Sequence, residues 1–260
     1  MPPFLAAAVR FFMAAFPIIL FIKPPRDENG KVPWAIIIGF GLSFVFGLYV
    51  LLNFALYIGM PAGVGSLVLQ VQAFFTMLIA FFMLKERPLT TQIIGAIIAF
   101  LGIGIIGYYR WEGANLFPLI LTILAAIAWA FGNIFAKMAG KVDPIALAVW
   151  GIAIGAIPLF AISFMVEGVD ELVKFIVQPD WRLIGILLFS AYPATLFGVA
   201  IWNWLLSKYP TSSVAPFSLL VPITGLVFGY LLLGENIAML EMFGGTLVIF
   251  GLGVSIIKRR

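Results

Sequence analysis

The sequence contains no cysteine and no histidine. Without cysteine the chain has no disulfide, no thiolate metal site and no thiol nucleophile. Without histidine it lacks the usual metal ligand and the side chain that most often moves protons near neutral pH. A phosphate-binding P-loop is also absent, which argues against an ATP-driven pump. We therefore predict that the chain is not an enzyme and uses no metal and no other cofactor.

Charge is scarce as well, at 10% of the residues, whereas 63% are hydrophobic. The mean hydropathy is +1.17. A soluble core of 260 residues could not bury that much apolar surface, so the composition predicts a polytopic membrane protein in contact with the lipid bilayer. The basic residues lie in loops between apolar runs, and the net charge of +4 therefore does not indicate nucleic-acid binding.

Long apolar runs separated by short polar or Gly/Pro-rich breaks predict an all-α fold, because a spanning helix needs about 20 apolar residues. The longest connection, residues 167–181, fits either a short interfacial amphipathic helix or an ordered surface loop. Nine spans are predicted, at residues 3–22, 33–56, 62–84, 90–109, 116–137, 143–165, 182–205, 211–233 and 238–257.

The distribution of lysine and arginine predicts the orientation of the spans. With the C-terminus in the cytoplasm, most of the 15 basic residues fall on the cytoplasmic side. Cytoplasmic loops carry this excess in multi-pass proteins of the inner membrane. We therefore expect a cytoplasmic C-terminus in the inner (cytoplasmic) membrane.

The chain also matches itself. Residues 61–107 align with residues 210–256 without a gap, and Glu86 then meets Glu235. The pattern predicts an inverted repeat of five-helix units, the first at 1–112 and the second at 113–260, as in secondary transporters. The first unit holds only four spans. We expect a ten-helix fold whose first helix is absent, with a genuine nine-helix form as the alternative.

Several stretches resemble the EamA family of the drug/metabolite transporter superfamily. They are VRFFMAAFP (9–17), YIGMPAGVGSLVLQVQAFFT (57–76), AWAFGNIFAK (128–137) and VAPFSLLVPITGL (214–226). The most specific of these similarities, MPAGVGSLVLQVQAFF in the second stretch, is to family members that export O-acetylserine and cysteine. The resemblance implies an inner-membrane exporter of small amino-acid metabolites.

Two amides stand where lipid offers no hydrogen bonds. Gln70 and Gln72 lie near the middle of the third span, and polar residues inside membranes are costly and often functional. An amide donates and accepts without ionising, which suits the ammonium and carboxylate of a zwitterion. Residues two apart point about 200° apart on a helix. One glutamine is thus expected to face a substrate cavity and the other a neighbouring helix; interhelical bonding alone is the alternative.

Further polar and aromatic residues at mid-span are candidates for the same small solute. Ring packing and interfacial anchoring are the alternative roles for each of them. Arg10 is expected to snorkel to the outer interface or to lock its helix to the absent one, with a counter-charge for a substrate carboxylate as the alternative. The two repeat glutamates, Glu86 and Glu235, are expected to act structurally. The remaining candidate substrate-binding residues are Asn53, Tyr57, Trp129, Asn133, Trp202 and Ser218.

These expectations combine into a secondary transporter that works by alternating access, as a monomer or homodimer. No Asp or Glu lies at mid-span, so no carboxylate proton relay is visible in the sequence. The alternative is the same fold exporting another small solute, such as aromatic amino acids, nucleosides or drugs. A membrane-embedded enzyme would need clustered ionisable residues at one interface, and the sequence shows no such cluster. A channel would need a polar stripe through the whole bilayer, whereas the polar residues here are few and lie at mid-span.

Overall fold

The computed structural model describes residues 1–60, 62–109, 116–233 and 238–257. Within these ranges every regular element is helical, as the composition predicts. Apolar segments fold this way in lipid because a helix satisfies its backbone N–H and C=O groups internally. The predicted boundary between the repeats, after residue 112, and Glu235 lie outside the described residues.

The helical segments of the described chain are numbered α1 to α10 in order. They are α1 (Pro3–Ala15), α2 (Trp34–Tyr57), α3 (residues 62–83), α4 (Thr90–Tyr109), α5 (Leu116–Met138), α6 (Pro144–Glu167), α7 (Asp170–Val177), α8 (Trp181–Lys208), α9 (residues 211–233) and α10 (Met239–Ile256).

Seven helical segments of the described residues are long and apolar enough to cross a bilayer. The first of them, Pro3–Leu20, consists of α1 and the 3₁₀ turn Ile18–Leu20 that follows it. In α9 and α10 the apolar stretches are shorter, Thr211–Thr224 and Met242–Ser255. The chain is therefore a multi-pass membrane protein, whereas the count of nine spans stays a prediction.

Four of the helices are locally irregular. The α2 helix contains a π-helical segment, Gly41–Gly47, and α8 contains another, Ser190–Phe197. The regular α-helix of α3 is interrupted after Leu69 and resumes at Gln72. A 3₁₀ segment, Ala215–Leu219, interrupts α9. Such irregularities are frequently found at functional sites, and they leave backbone groups that must be buried or line a cavity.

The chain divides into two compact units. Unit 1 comprises Met1–Asn53 and Phe131–Lys208, and unit 2 comprises Phe54–Ala130 and Tyr209–Arg260. Each unit thus combines segments from both halves of the sequence.

In unit 1, the start of α1 is bonded to the end of α6. The carboxylate of Glu167 accepts hydrogen bonds from the backbone N–H groups of Phe4 and Leu5, each at 2.8 Å. A negative charge at this position satisfies amide donors that have no partner inside the helix. Glu167 therefore fixes α1 against α6.

The connection at 167–181 forms the short helix α7. Its apolar residues Leu172 and Phe175 pack against a buried cluster of Leu5, Val9 and Leu187 in unit 1. Of the two structures that the sequence allowed for this connection, the helix is the one that forms.

In unit 2, α4 and α10 approach so closely that their glycines touch the opposite backbone. A Cβ atom added to Gly95 would lie 2.4 Å from the carbonyl oxygen of Gly251, and one added to Gly102 would lie 2.4 Å from that of Gly244. Small residues permit such approaches in membranes, where packing rather than the hydrophobic effect drives association. This contact forms the centre of unit 2.

Candidate functional site

Gln70 and Gln72 flank the interruption of α3. Here the backbone hydrogen bonds join residues three apart, the 3₁₀ pattern, instead of residues four apart. Gln70 N–H donates to the Leu67 carbonyl and Ala73 N–H donates to the Gln70 carbonyl, each at 3.1 Å. The two amides consequently have different surroundings. This agrees with the expectation that they do not share one face.

Gln72 contacts the neighbouring helix α9. Its Nε2 donates to Ser218 Oγ at 2.5 Å, and its Oε1 accepts from Thr76 Oγ1 at 3.2 Å. The Ser218 hydroxyl in turn donates to the Ala215 carbonyl at 2.8 Å. Both ends of the Gln72 amide are thus engaged within unit 2, and this network joins α3 to α9.

Gln70 is the glutamine with unused hydrogen-bonding capacity. Its side chain is 1% exposed, and its Nε2 donates back to the Ser66 carbonyl at 3.3 Å. Its Oε1 is buried and meets no donor in the described part of the chain. Leaving a buried acceptor without a donor costs about 1–3 kcal/mol. The amide oxygen of Gln70 is therefore suited to accept a hydrogen bond from a bound solute.

Two prolines explain the irregular backbone around Ser218. Pro216 lies in the first turn of the 3₁₀ segment, and Pro222 lies early in the helix that follows, Leu220–Leu233. Proline lacks the N–H that would continue the helical bonding. Ser218 lies inside this disrupted segment and is 4% exposed.

Unit 1 contains a second polar group, at the contact of α5 with α8. The indole Nε1 of Trp202 donates to Asn133 Oδ1 at 2.8 Å, and Asn133 is 1% exposed. Asn203, next to Trp202, is 2% exposed, and neither its Nδ2 nor its Oδ1 has a partner in the described ranges. Asn203 was not among the predicted binding residues, although an amide in mid-span is the same signal that marks Gln70.

The other predicted residues differ in their environments. Asn53 is 8% exposed and donates weakly, at 3.4 Å, to the Pro3 carbonyl of unit 1. Tyr57 is 68% exposed. Trp129 is partly buried. Their roles in substrate binding stay predictions.

Glu86 has the structural role expected of it. Its Oε2 accepts from the backbone N–H of Thr211 at 2.7 Å and so caps the first turn of α9 within unit 2. Its repeat counterpart, Glu235, lies outside the described residues.

Unit 2 also carries an apolar groove of about 1060 Å³. Phe74 and Phe75 of α3 and Ile97 of α4 are among the residues that line it, and neither Gln70 nor Gln72 is. Hydrocarbon fits such walls better than a zwitterion does. This groove is therefore not the polar site that the glutamines predict.

Comparisons with known proteins agree with this picture. The model of the EamA-like transporter family matches residues 1–108 and 116–257. A protein of Salmonella typhimurium named "Probable amino-acid metabolite efflux pump" is 38% identical, over 98% of this chain and 86% of that protein. The Escherichia coli protein of the same name is also 38% identical, over 100% of this chain and 87% of that protein.

Similarity extends to more distant proteins. An uncharacterised transporter of Archaeoglobus fulgidus is 29% identical over 99% of this chain and 90% of its own length. A solved crystal structure matches with a TM-score of 0.77 at 15% identity, over 98% of this chain and 89% of the other, which shows a shared fold. The named relatives are efflux pumps and transporters rather than enzymes. This chain belongs to the EamA-like transporter family.

Proposed function

We propose that the chain is a secondary transporter that exports small amino-acid metabolites, of the O-acetylserine and cysteine type, across the cytoplasmic membrane. Two relatives at 38% identity bear the name of amino-acid metabolite efflux pumps. The observation that carries the proposal is the Gln70 Oε1, a buried acceptor at a helix interruption with no donor in the described ranges. The ammonium group of an amino acid is a donor that fits it.

The mechanism in this proposal is alternating access between two inverted repeats, 1–112 and 113–260. Matching irregularities support the repeat. The π segments Gly41–Gly47 and Ser190–Phe197 begin at equal distances before the aligned stretches 61–107 and 210–256. Each aligned stretch also contains an interrupted helix, α3 in the first and α9 in the second.

The close contacts of α4 with α10 support the same repeat. Gly95 aligns with Gly244, and Gly102 aligns with Gly251. Exchanging the two repeats therefore converts the Gly95–Gly251 contact into the Gly102–Gly244 contact, and both contacts are present. The orientation in the proposal, with the C-terminus in the cytoplasm, follows from the lysine and arginine distribution.

An export assay tests the proposed substrate class directly. Cells that express the chain are loaded with cysteine and O-acetylserine, and both solutes are measured in the medium against an empty vector. We expect raised export from the wild type and at least a tenfold loss in the Gln70→Ala variant, about 1.4 kcal/mol of lost binding.

The exposed Gln178 supplies the matched control, since Gln178→Ala makes the same chemical change away from the site. Membrane abundance of each variant is measured in parallel. Export of an aromatic amino acid, a nucleoside or a drug instead of the two loaded metabolites would favour the alternative substrates. Equal export by the Gln70→Ala and Gln178→Ala variants would show that Gln70 does not bind the substrate.

A further inference from the structure

Arg10 carries a positive charge inside α1 of unit 1. It lies seven residues after Pro3, the first residue of the helix, which corresponds to about 10 Å along the axis. The carbon of its guanidinium group is 4.5 Å from the centroid of the Phe11 ring and 4.6 Å from that of Tyr49 in α2. The two rings meet edge to face, with centroids 4.7 Å apart. This arrangement holds the cation in place by cation–π attraction.

Two of the three guanidinium nitrogens nevertheless lack hydrogen-bond acceptors among the described residues. Its Nε and Nη2 atoms are buried and have no partner in the part of the chain that the structure describes. Glu167, the carboxylate that joins α1 to α6, accepts instead from Phe4, Leu5 and the Ser163 hydroxyl. It is therefore occupied by other donors.

The two free nitrogens are the pair that recognises a carboxylate. Nε–H and one Nη2–H lie on the same edge of the planar guanidinium and point in parallel, so they can bind both oxygens of one carboxylate at once. The two rings contact the guanidinium without using its N–H donors, so both donors stay available to an anion. The residue as a whole is partly exposed, whereas Nε and Nη2 are buried, so a solute reaches these two atoms only when the side chains that cover them move.

Snorkelling toward the membrane surface accounts less well for this geometry. A snorkelling arginine places its nitrogens in water or among headgroups. Here two of the nitrogens are buried within the protein, and two aromatic rings fix the group. Ionisable groups in such positions typically mark a substrate pathway or a paired charge.

We propose that Arg10 binds the carboxylate of the transported amino-acid metabolite through Nε and Nη2, with Phe11 and Tyr49 holding the guanidinium in position. The inference rests on the proposed function and extends it. It names the side chain that recognises the carboxylate of the solute. It also gives the transporter a means to reject solutes that have an amine but no carboxylate.

The test uses the purified full chain in phosphatidylcholine vesicles and measures uptake of labelled cysteine under reducing conditions. Unlabelled cysteine, cysteine methyl ester and cysteamine serve as competitors; the last two lack a free carboxylate. For the wild type we expect cysteine to compete at least tenfold better than either analogue. In Arg10→Gln we expect the KM for cysteine to rise 10- to 100-fold and the preference for the carboxylate to disappear.

Four further variants keep the test decisive. Arg182→Gln makes the same change at an exposed arginine and should leave KM and preference unchanged. Arg10→Lys keeps the positive charge but loses the two parallel N–H donors, so it should weaken the preference for solutes with a carboxylate. This variant provides the readout if Arg10→Gln does not fold. Tyr49→Leu removes one ring and should raise KM, whereas Tyr49→Phe should not.

The outcomes separate the two proposals. A wild type that transports neither metabolite overturns the proposed function and the Arg10 assignment with it. A wild type that transports cysteine, with the same KM and carboxylate preference in the Arg10 variants, overturns the Arg10 assignment alone. An effect of Arg10→Gln seen only in vesicles that contain phosphatidylglycerol would identify a lipid headgroup as the anion, and would also overturn it.

Discussion

Replacing Gly95 with alanine should destabilise the contact between α4 and α10 within unit 2. The added Cβ would lie 2.4 Å from the Gly251 carbonyl oxygen and 2.7 Å from the Ser255 backbone nitrogen. Ordinary van der Waals contact begins near 3.4 Å. The opposing atoms are backbone, which cannot rotate away, so the helices would have to separate by about 1 Å in a close-packed interior.

Overpacking of this kind costs about 1–3 kcal/mol. At roughly 2–4 °C per kcal/mol for a chain of this length, the midpoint of thermal unfolding should fall by about 2–12 °C. The assay is the fraction of monodisperse protein that survives heating in detergent, followed by fluorescence-detected size exclusion. Gly251→Ala, on the other side of the same contact, should lower the midpoint by a similar amount.

The chain supplies matched controls for both substitutions. Gly104 lies on α4 and Gly253 on α10, and a Cβ added to either would meet nothing within 4 Å. Alanine at these positions should leave the midpoint unchanged or raise it slightly, because alanine favours helix more than glycine does. Equal midpoints for Gly95→Ala and Gly104→Ala would refute the close-approach argument.

Two other predictions concern hydrogen bonds inside unit 2. Glu86→Ala removes the acceptor that caps Thr211 and should cost about 1–2 kcal/mol, seen as a lower unfolding midpoint, whereas Glu86→Gln should retain part of the cap. Alanine at Glu28, whose ion pair with Lys141 is exposed to solvent, should leave the midpoint nearly unchanged. A double-mutant cycle on Gln72→Leu and Ser218→Ala should give a coupling energy of about 0.6 kcal/mol, the average for such bonds between membrane helices, and additive effects would mean that the bond does not stabilise the fold.

The apolar helices were predictable from the sequence because their signal is local. A run of about 20 apolar residues between polar breaks specifies a helix in lipid with little help from tertiary contacts. The interruption of α9 near Ser218 was predictable for the same reason, because Pro216 and Pro222 lack the backbone N–H that a regular helix needs. The interruption of α3 after Leu69 has no such marker, as neither glycine nor proline occurs between Ser66 and Phe82.

The roles of the two glutamines needed tertiary information. Periodicity showed that Gln70 and Gln72 point in different directions, but which one reaches a neighbouring helix depends on how α9 packs. The structure gives that contact to Gln72, through Ser218. The charge of Arg10 was visible in the sequence, whereas Tyr49, which holds it, lies on another helix. Pairings across helices of this kind are set by packing and not by local sequence.

Counterflow in vesicles tests the central claim most directly. Vesicles containing the purified chain are preloaded with unlabelled cysteine or O-acetylserine and diluted into a trace of the labelled solute. An alternating-access carrier of these metabolites should accumulate label transiently, with a rate that saturates with solute concentration, and the Gln70→Ala variant should lose this accumulation. No accumulation above empty vesicles for either solute, or a rate that rises linearly without saturation, would contradict the account.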